Sequence, residues 1–201
     1  MKKGSLAYEI VMTALVLVLI AGVAGALLGF VHHFAAVDPN ELLLKKASAV
    51  YDGKLKDNPV REGLSAKIEY ENGDVLDVLV PSDESVKDVF ILHVKGTGAY
   101  KGSLELLVNI TKGKIVKIAK YDANETPGLG SKALEDSYFR QYCGVPITAE
   151  FSGFTLLKTA PLNETEVRAI SGASKSSTAV TNAVNAAVTW YQNAVLKGGV
   201  R

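Results

Sequence analysis

From Ile10 to Val31 the chain reads IVMTALVLVLIAGVAGALLGFV, 22 residues without a charge. At 1.5 Å rise per residue a helix of that length reaches about 33 Å, enough to cross a hydrocarbon core. A helix buried in a soluble core keeps one polar stripe, and this run has none. The run predicts one transmembrane helix over about 10–31, inside an N-terminal segment 1–37. Lys2 and Lys3 precede it, so the positive-inside rule puts the N-terminus in the cytoplasm and the remainder on the exported side. Ala24-Gly25-Ala26 has the small-x-small form of a signal cleavage site, but the apolar run exceeds the usual h-region and continues through Phe30. A retained anchor is therefore expected. Ala21, Gly25 and Gly29 share one helix face, which would let a second transmembrane helix approach.

The chain as a whole has the composition of a folded protein, with 21% charged residues and a net charge of +1. That balance offers no basic field for nucleic acid. The single cysteine, Cys143, excludes an internal disulfide and any multi-cysteine metal site. From Asp38 onward the pattern predicts an α+β domain. Asp38-Pro39 starts a short helix. Strands follow at 66–72, 74–81, 89–96, 103–110 and 114–121, turning at Asn72-Gly73 and Lys112-Gly113. A loop at 122–133, a helical stretch at 134–144 and a strand or two through 154–160 lead to a terminal helix. Val180, Ala183, Val184, Ala187, Val188, Tyr191 and Val195 give that helix one apolar face, and Gly198-Gly199 stops it. His93 sits among apolar neighbours and reads as a hydrogen-bonded structural histidine. Tyr100 and Trp190, as lone aromatics, read more readily as core than as stacking groups.

Two stretches carry chemistry. ETPGLG, Glu125 to Gly130, combines a proline with two glycines in a tight turn whose amides would favour an anion or an acceptor-rich ring edge. ISGASKSSTAV, 170–180, sets Ser171, Ser174, Ser176, Ser177 and Thr178 around a helix start, where unpaired amides and the helix dipole favour phosphate. A cap needs one hydroxyl, Ser174 or Ser176, and leaves the other four without a task. No GxGxxG or GxxxxGK[ST] stands at a strand–helix junction, and no nucleophile–base pair is evident.

Residues 96–195, with AYKG at 99–102, ETPGLG at 125–130 and SGAS at 171–174, resemble the FMN-binding domain shared by the G subunit of Rnf complexes and the C subunit of sodium-translocating NADH:quinone reductases. The resemblance divides the exported part into a lead-in at 38–95 and an FMN-binding domain at 96–201, with antiparallel strands and a C-terminal helix. It implies an electron-transfer subunit of a membrane-bound ion-translocating ferredoxin:NAD⁺ oxidoreductase, not a catalyst alone. Its partners would be other membrane subunits and a flavin transferase, and its location the inner membrane, single-pass. The sibling quinone reductase, or a membrane-tethered binding module of the same fold without covalent flavin, are the alternatives.

In the family FMN is bonded through its phosphate to a threonine, and Ser174 stands at that position after Ser171, Gly172 and Ala173. The implied flavin contacts are Glu125, Thr126, Gly128, Leu129, Gly130, Lys132 and Tyr100, with Lys175, Ser176 and Ser177 around the phosphate. An aspartate usually stands upstream where this chain has Arg168. FMN held without a bond, with Arg168 or Lys175 offsetting its charge, is compatible with both departures.

Overall fold

The structure is a computed structural model that describes residues 6–35, 38–57, 68–70 and 73–198. It divides into two compact units, Met1–Pro39 and Asn40–Arg201. The first contains the helix α1 (Leu6–Ala35), whose stretch Tyr8–His32 is long and apolar enough to cross a membrane. Its apolar side chains, Leu15 to Val31 among them, are exposed, as a helix awaiting lipid or protein requires. A Cβ at Gly25 or Gly29 would meet nothing within 4 Å, so that face is open. Lys2 and Lys3 lie outside the described residues.

In the second unit, α2 (Pro39–Ala47) precedes a five-stranded antiparallel sheet in the order β1 (Ile68–Tyr70), β2 (Gly73–Leu79), β3 (Val89–Ala99), β4 (Gly102–Thr111), β5 (Lys114–Asp122). The expected hairpins are thus parts of one meander, with β3 joining them and running through position 95/96. Lys112 and Gly113 both take positive φ, 50° and 70°, as a two-residue hairpin turn demands. Of the other expected turn, Asn72 lies outside the described residues, and β1 pairs Tyr70 with Gly73.

Alternation along the strands sends side chains to two covers. Leu92, Val94, Leu106 and Val108 face the terminal helix α4 (Ser174–Tyr191), whereas Ile91, Leu79 and Leu107 meet Leu43 and Ala47 of α2. Gly96 makes the first contact close: a Cβ there would run into the Ala179 carbonyl of α4. The buried arc of α4 includes the expected Val180, Ala183, Val184, Ala187, Val188 and Tyr191, and widens to Ala179, Thr181, Ala186 and Trp190. Val195 is only partly buried, because the helix passes into a π turn at Gln192–Lys197 and the 3.6-residue period is lost. Gly198 ends it, while Gly199 lies outside the described residues.

Between sheet and terminal helix the expected helical stretch is broken into a 3-10 turn Gly130–Leu134, α3 (Asp136–Phe139) and a second 3-10 turn Arg140–Tyr142. Next comes a parallel pair, β6 (Thr155–Leu157) with β7 (Glu166–Arg168). Asn185 of α4 holds this region to the core through both backbone groups of Phe154, accepting its N–H at 2.8 Å and donating to its carbonyl at 3.0 Å.

Candidate functional site

The two chemistry-bearing stretches meet. The Ser176 hydroxyl donates to Glu125 Oε2 at 2.6 Å across 51 residues of sequence. Gly130 lies beneath this bond, and a Cβ there would collide with both the Glu125 carboxylate and the Ser176 hydroxyl. Its lack of a side chain is what lets the turn close against α4.

The turn differs from its expected electrostatics. Gly128, at φ 75°, gives its N–H to the Ser131 hydroxyl at 2.9 Å, and the Leu129 and Ser131 amides both go to the Thr126 carbonyl at 3.2 Å. These amides are consumed within the loop, so it is not an open anion nest. What it presents to a ligand is Thr126, the half-exposed Leu129 side chain and the Glu125 carboxylate.

The helix start also departs from expectation. The residue before α4 is Ala173, and no side chain caps the helix. The first-turn amides are therefore left without an intrahelical acceptor. The five hydroxyls divide by task. Ser176 holds Glu125, buried Ser177 accepts the Ile170 N–H at 3.1 Å, and Thr178 donates back to the Ser174 carbonyl at 2.9 Å. Ser171 and Ser174 are exposed and make no side-chain hydrogen bond among the described residues. Those two hydroxyls are what a cap leaves unexplained.

A cavity of about 550 Å³ lies between turn and helix, lined by Tyr100, Glu125, Thr126, Leu129, Gly172 and Ser174 and closed by Lys175 and Ser176. Tyr100 is 67% exposed, which corrects its assignment to the core: the β3–β4 turn carries it outward. The Lys175 ammonium stands 5.8 Å from its ring centroid. Trp190 is fully buried, edge-on to Phe90 at 5.6 Å, and belongs to the core as expected. Lys132 is exposed and lines neither this cavity nor the next.

A second cavity, about 520 Å³, opens on the other side of the Gly172–Ser174 strip, with both of those residues in its wall beside Tyr138, Gln141, Lys158 and Arg168. Sequence reading reached Arg168 as a departure from a motif that could offset phosphate charge, and missed the other three. Nothing in their spacing could have found them, since a three-residue parallel pair delivers Lys158 and the one-turn helix α3 delivers Tyr138.

Away from these cavities, His93 is a structural histidine. The residue is 6% exposed, with ring Nδ1 at 3.1 Å from Asp77 and Nε2 at 2.9 Å from Glu105. Half-buried Cys143 has its thiol pushed up by burial, which keeps it protonated and unreactive.

An uncapped helix start and a tight proline-glycine turn thus share one cavity. Residues 99–189 match the FMN-binding domain family. Among characterised proteins the chain is similar to the G subunit of the proton-translocating ferredoxin:NAD⁺ oxidoreductase complex of Clostridium ljungdahlii, 38% identical over 90 residues, 44% of this chain and 46% of that one. It is also similar to the G subunit of the Na⁺-translocating ferredoxin:NAD⁺ oxidoreductase complex of Acetobacterium woodii, 30% identical over 121 residues, 60% of this chain and 57% of that one. These matches span about half the length of each relative. NqrC of Shewanella oneidensis shares the fold with a TM-score of 0.53 at 16% identity, over 77% of this chain and 96% of that one.

Proposed function

We propose that this chain is the FMN-carrying, membrane-anchored subunit of an ion-translocating ferredoxin:NAD⁺ oxidoreductase of the Rnf type, partnered by other membrane subunits. The observation that carries the reading is the Ser176–Glu125 bond, which draws the turn and the uncapped helix start around one cavity. A volume of about 550 Å³ is within the range of cofactor pockets. The donor set fits the group: apolar cover from Leu129, an aromatic face from Tyr100, polar edges from Glu125 and Thr126, and free first-turn amides for a phosphate.

FMN, when bound, supplies one- and two-electron redox chemistry that no side chain here provides. The residues of the chain bind and tune it. Leu129 and Tyr100 would exclude water from one side of the ring. Glu125 is held in place by Ser176, so its charge is fixed relative to whatever occupies the cavity. Lys175 would offset negative charge at the mouth. Ser174 has a hydroxyl engaged by no other side chain, which supports it as the attachment point for a phosphoester made by a flavin transferase. The domain would lie on the exported face of the inner membrane.

Purified full-length protein made alongside a flavin transferase should show flavin absorbance. Intact mass should carry an FMN-sized increment that Ser174→Ala abolishes if the bond forms. Protein with neither absorbance nor increment would return the chain to the rival class, a tethered binding module of the same fold.

A further inference from the structure

The cavity on the Arg168 side of the Gly172–Ser174 strip has no part in the reading above, and its wall is unusual. Pairing of β6 with β7 sets Leu157 opposite Arg168 and brings the next residue, Lys158, to the same rim. Both cations are exposed, and among the described residues neither meets a carboxylate within ion-pair distance. No acidic residue lines the cavity. Gln141 has its one acceptor taken, because Oε1 receives the Arg168 backbone N–H at 2.9 Å.

The floor supplies the independent sign of a ligand. Tyr138 is 5% exposed, lines this cavity, and has a buried hydroxyl with no hydrogen-bond partner. Ser177 in the first turn of α4 and Tyr142 approach that hydroxyl, but neither meets hydrogen-bond geometry. Burial pushes the Tyr138 phenol up, so it stays protonated and able to donate. An orphaned buried hydroxyl is costly unless something accepts from it. A guanidinium fork, an ammonium, a phenol and uncapped helix amides are all donors, and they match the oxygens of a phosphate group.

We propose that Lys158, Arg168 and Tyr138 form a phosphate subsite that takes the FMN phosphate from the side opposite the flavin ring, dianionic when free and monoanionic when bonded to Ser174, so that this chain retains FMN by ionic contact whether or not Ser174 carries a bond. The proposal rests on the flavin reading. Gly172, at φ 80° and without a side chain, is the low wall between ring and phosphate, since both cavities share it.

The test uses the full chain in detergent, made in a host without flavin transferase and stripped of flavin, titrated with FMN and with riboflavin. FMN should bind at least about tenfold tighter than riboflavin, the equivalent of one charge-assisted contact. Lys158→Gln with Arg168→Gln should erase that preference and leave the riboflavin Kd in place. Tyr138→Phe, which removes one oxygen from a buried ring, should weaken FMN alone. Inorganic phosphate should compete with FMN and not with riboflavin. A preference that survives the double substitution, or phosphate that binds without competing, overturns the subsite while the flavin reading stands. Failure of both flavins to bind overturns the subsite, while the flavin reading falls only if protein made alongside the transferase also lacks flavin.

Discussion

Ser176 and Glu125, 51 positions apart, share a hydrogen bond of 2.6 Å that fastens the terminal helix to the proline-glycine turn. A hydroxyl donating to a carboxylate is worth about 1.5–3 kcal/mol when shielded, and this one is part-buried. Ser176→Ala should lower unfolding free energy by about 1–2 kcal/mol in denaturant titration. It should also weaken flavin binding, because the turn is then free to leave the cavity.

Gly130→Ala attacks the same bond from beneath. Its methyl would displace the Glu125 carboxylate or the Ser176 hydroxyl, at a cost of about 1–3 kcal/mol. Combined with Ser176→Ala, the two losses should fall well short of additive, since both remove one contact. A double-mutant cycle by chemical denaturation measures this, and full additivity would mean that Gly130 serves something else.

Gly96→Ala should be the more damaging glycine substitution. The obstacle there is the α4 backbone at Ala179, which cannot rotate aside as a side chain can. Loss at or above the upper end of about 1–3 kcal/mol is expected, with a matching fall in melting temperature.

His93 gives a pH signature. Burial alone would disfavour its charged ring, but hydrogen bonds and charges from Asp77 and Glu105 prevail and raise its pKa above the usual 6.5. The His93 hydrogen bond, opposed in part by burial, lowers Glu105 below 4.5. A raised histidine contributes fully below its unfolded value and loses that contribution as pH climbs through its folded one. A lowered glutamate contributes above its unfolded value and loses it as pH falls through its folded one. The remaining groups around the ring are Lys46 of α2, whose ammonium lies 4.1 Å from the Tyr121 ring centroid, Lys95 of β3, and Tyr121 and Asp122 of β5. The cluster should stabilise the domain most between about pH 4.5 and 6.5 and weaken toward alkaline pH. His93→Gln should flatten that slope in thermal melts recorded across pH.

The membrane helix is tested by extraction. Full-length protein should resist alkaline carbonate and leave membranes only with detergent, whereas a chain beginning at Asp38 should stay in the soluble fraction. Loss of about the first 26 residues from the mature mass would identify a signal peptide instead.

Elements that follow from local rules were legible. The apolar run, the Lys112-Gly113 turn and the α4 face each depend on periodicity or on one turn conformation, and the structure has them. The β6–β7 pair was half legible: three residues per strand are too few for an alternation, and parallel pairing leaves no hairpin turn to read. At the candidate site, the two hydroxyl- and glycine-rich stretches stood out by residue type, and their meeting depends on the Ser176–Glu125 contact that no local pattern encodes. Tyr100 shows the limit in the other direction. Its aromatic ring argued for burial, and only the outward turn between β3 and β4 decides otherwise.

The helix that fills the core with Val180, Val184 and Trp190 is the same helix whose first turn borders both cavities. Occupancy and unfolding are therefore linked by mass action: ligand at 100 times its Kd should stabilise the whole domain by about 2.7 kcal/mol. On the proposed reading, a chain without flavin is then the more perishable form, and cellular turnover would selectively spare the loaded copies.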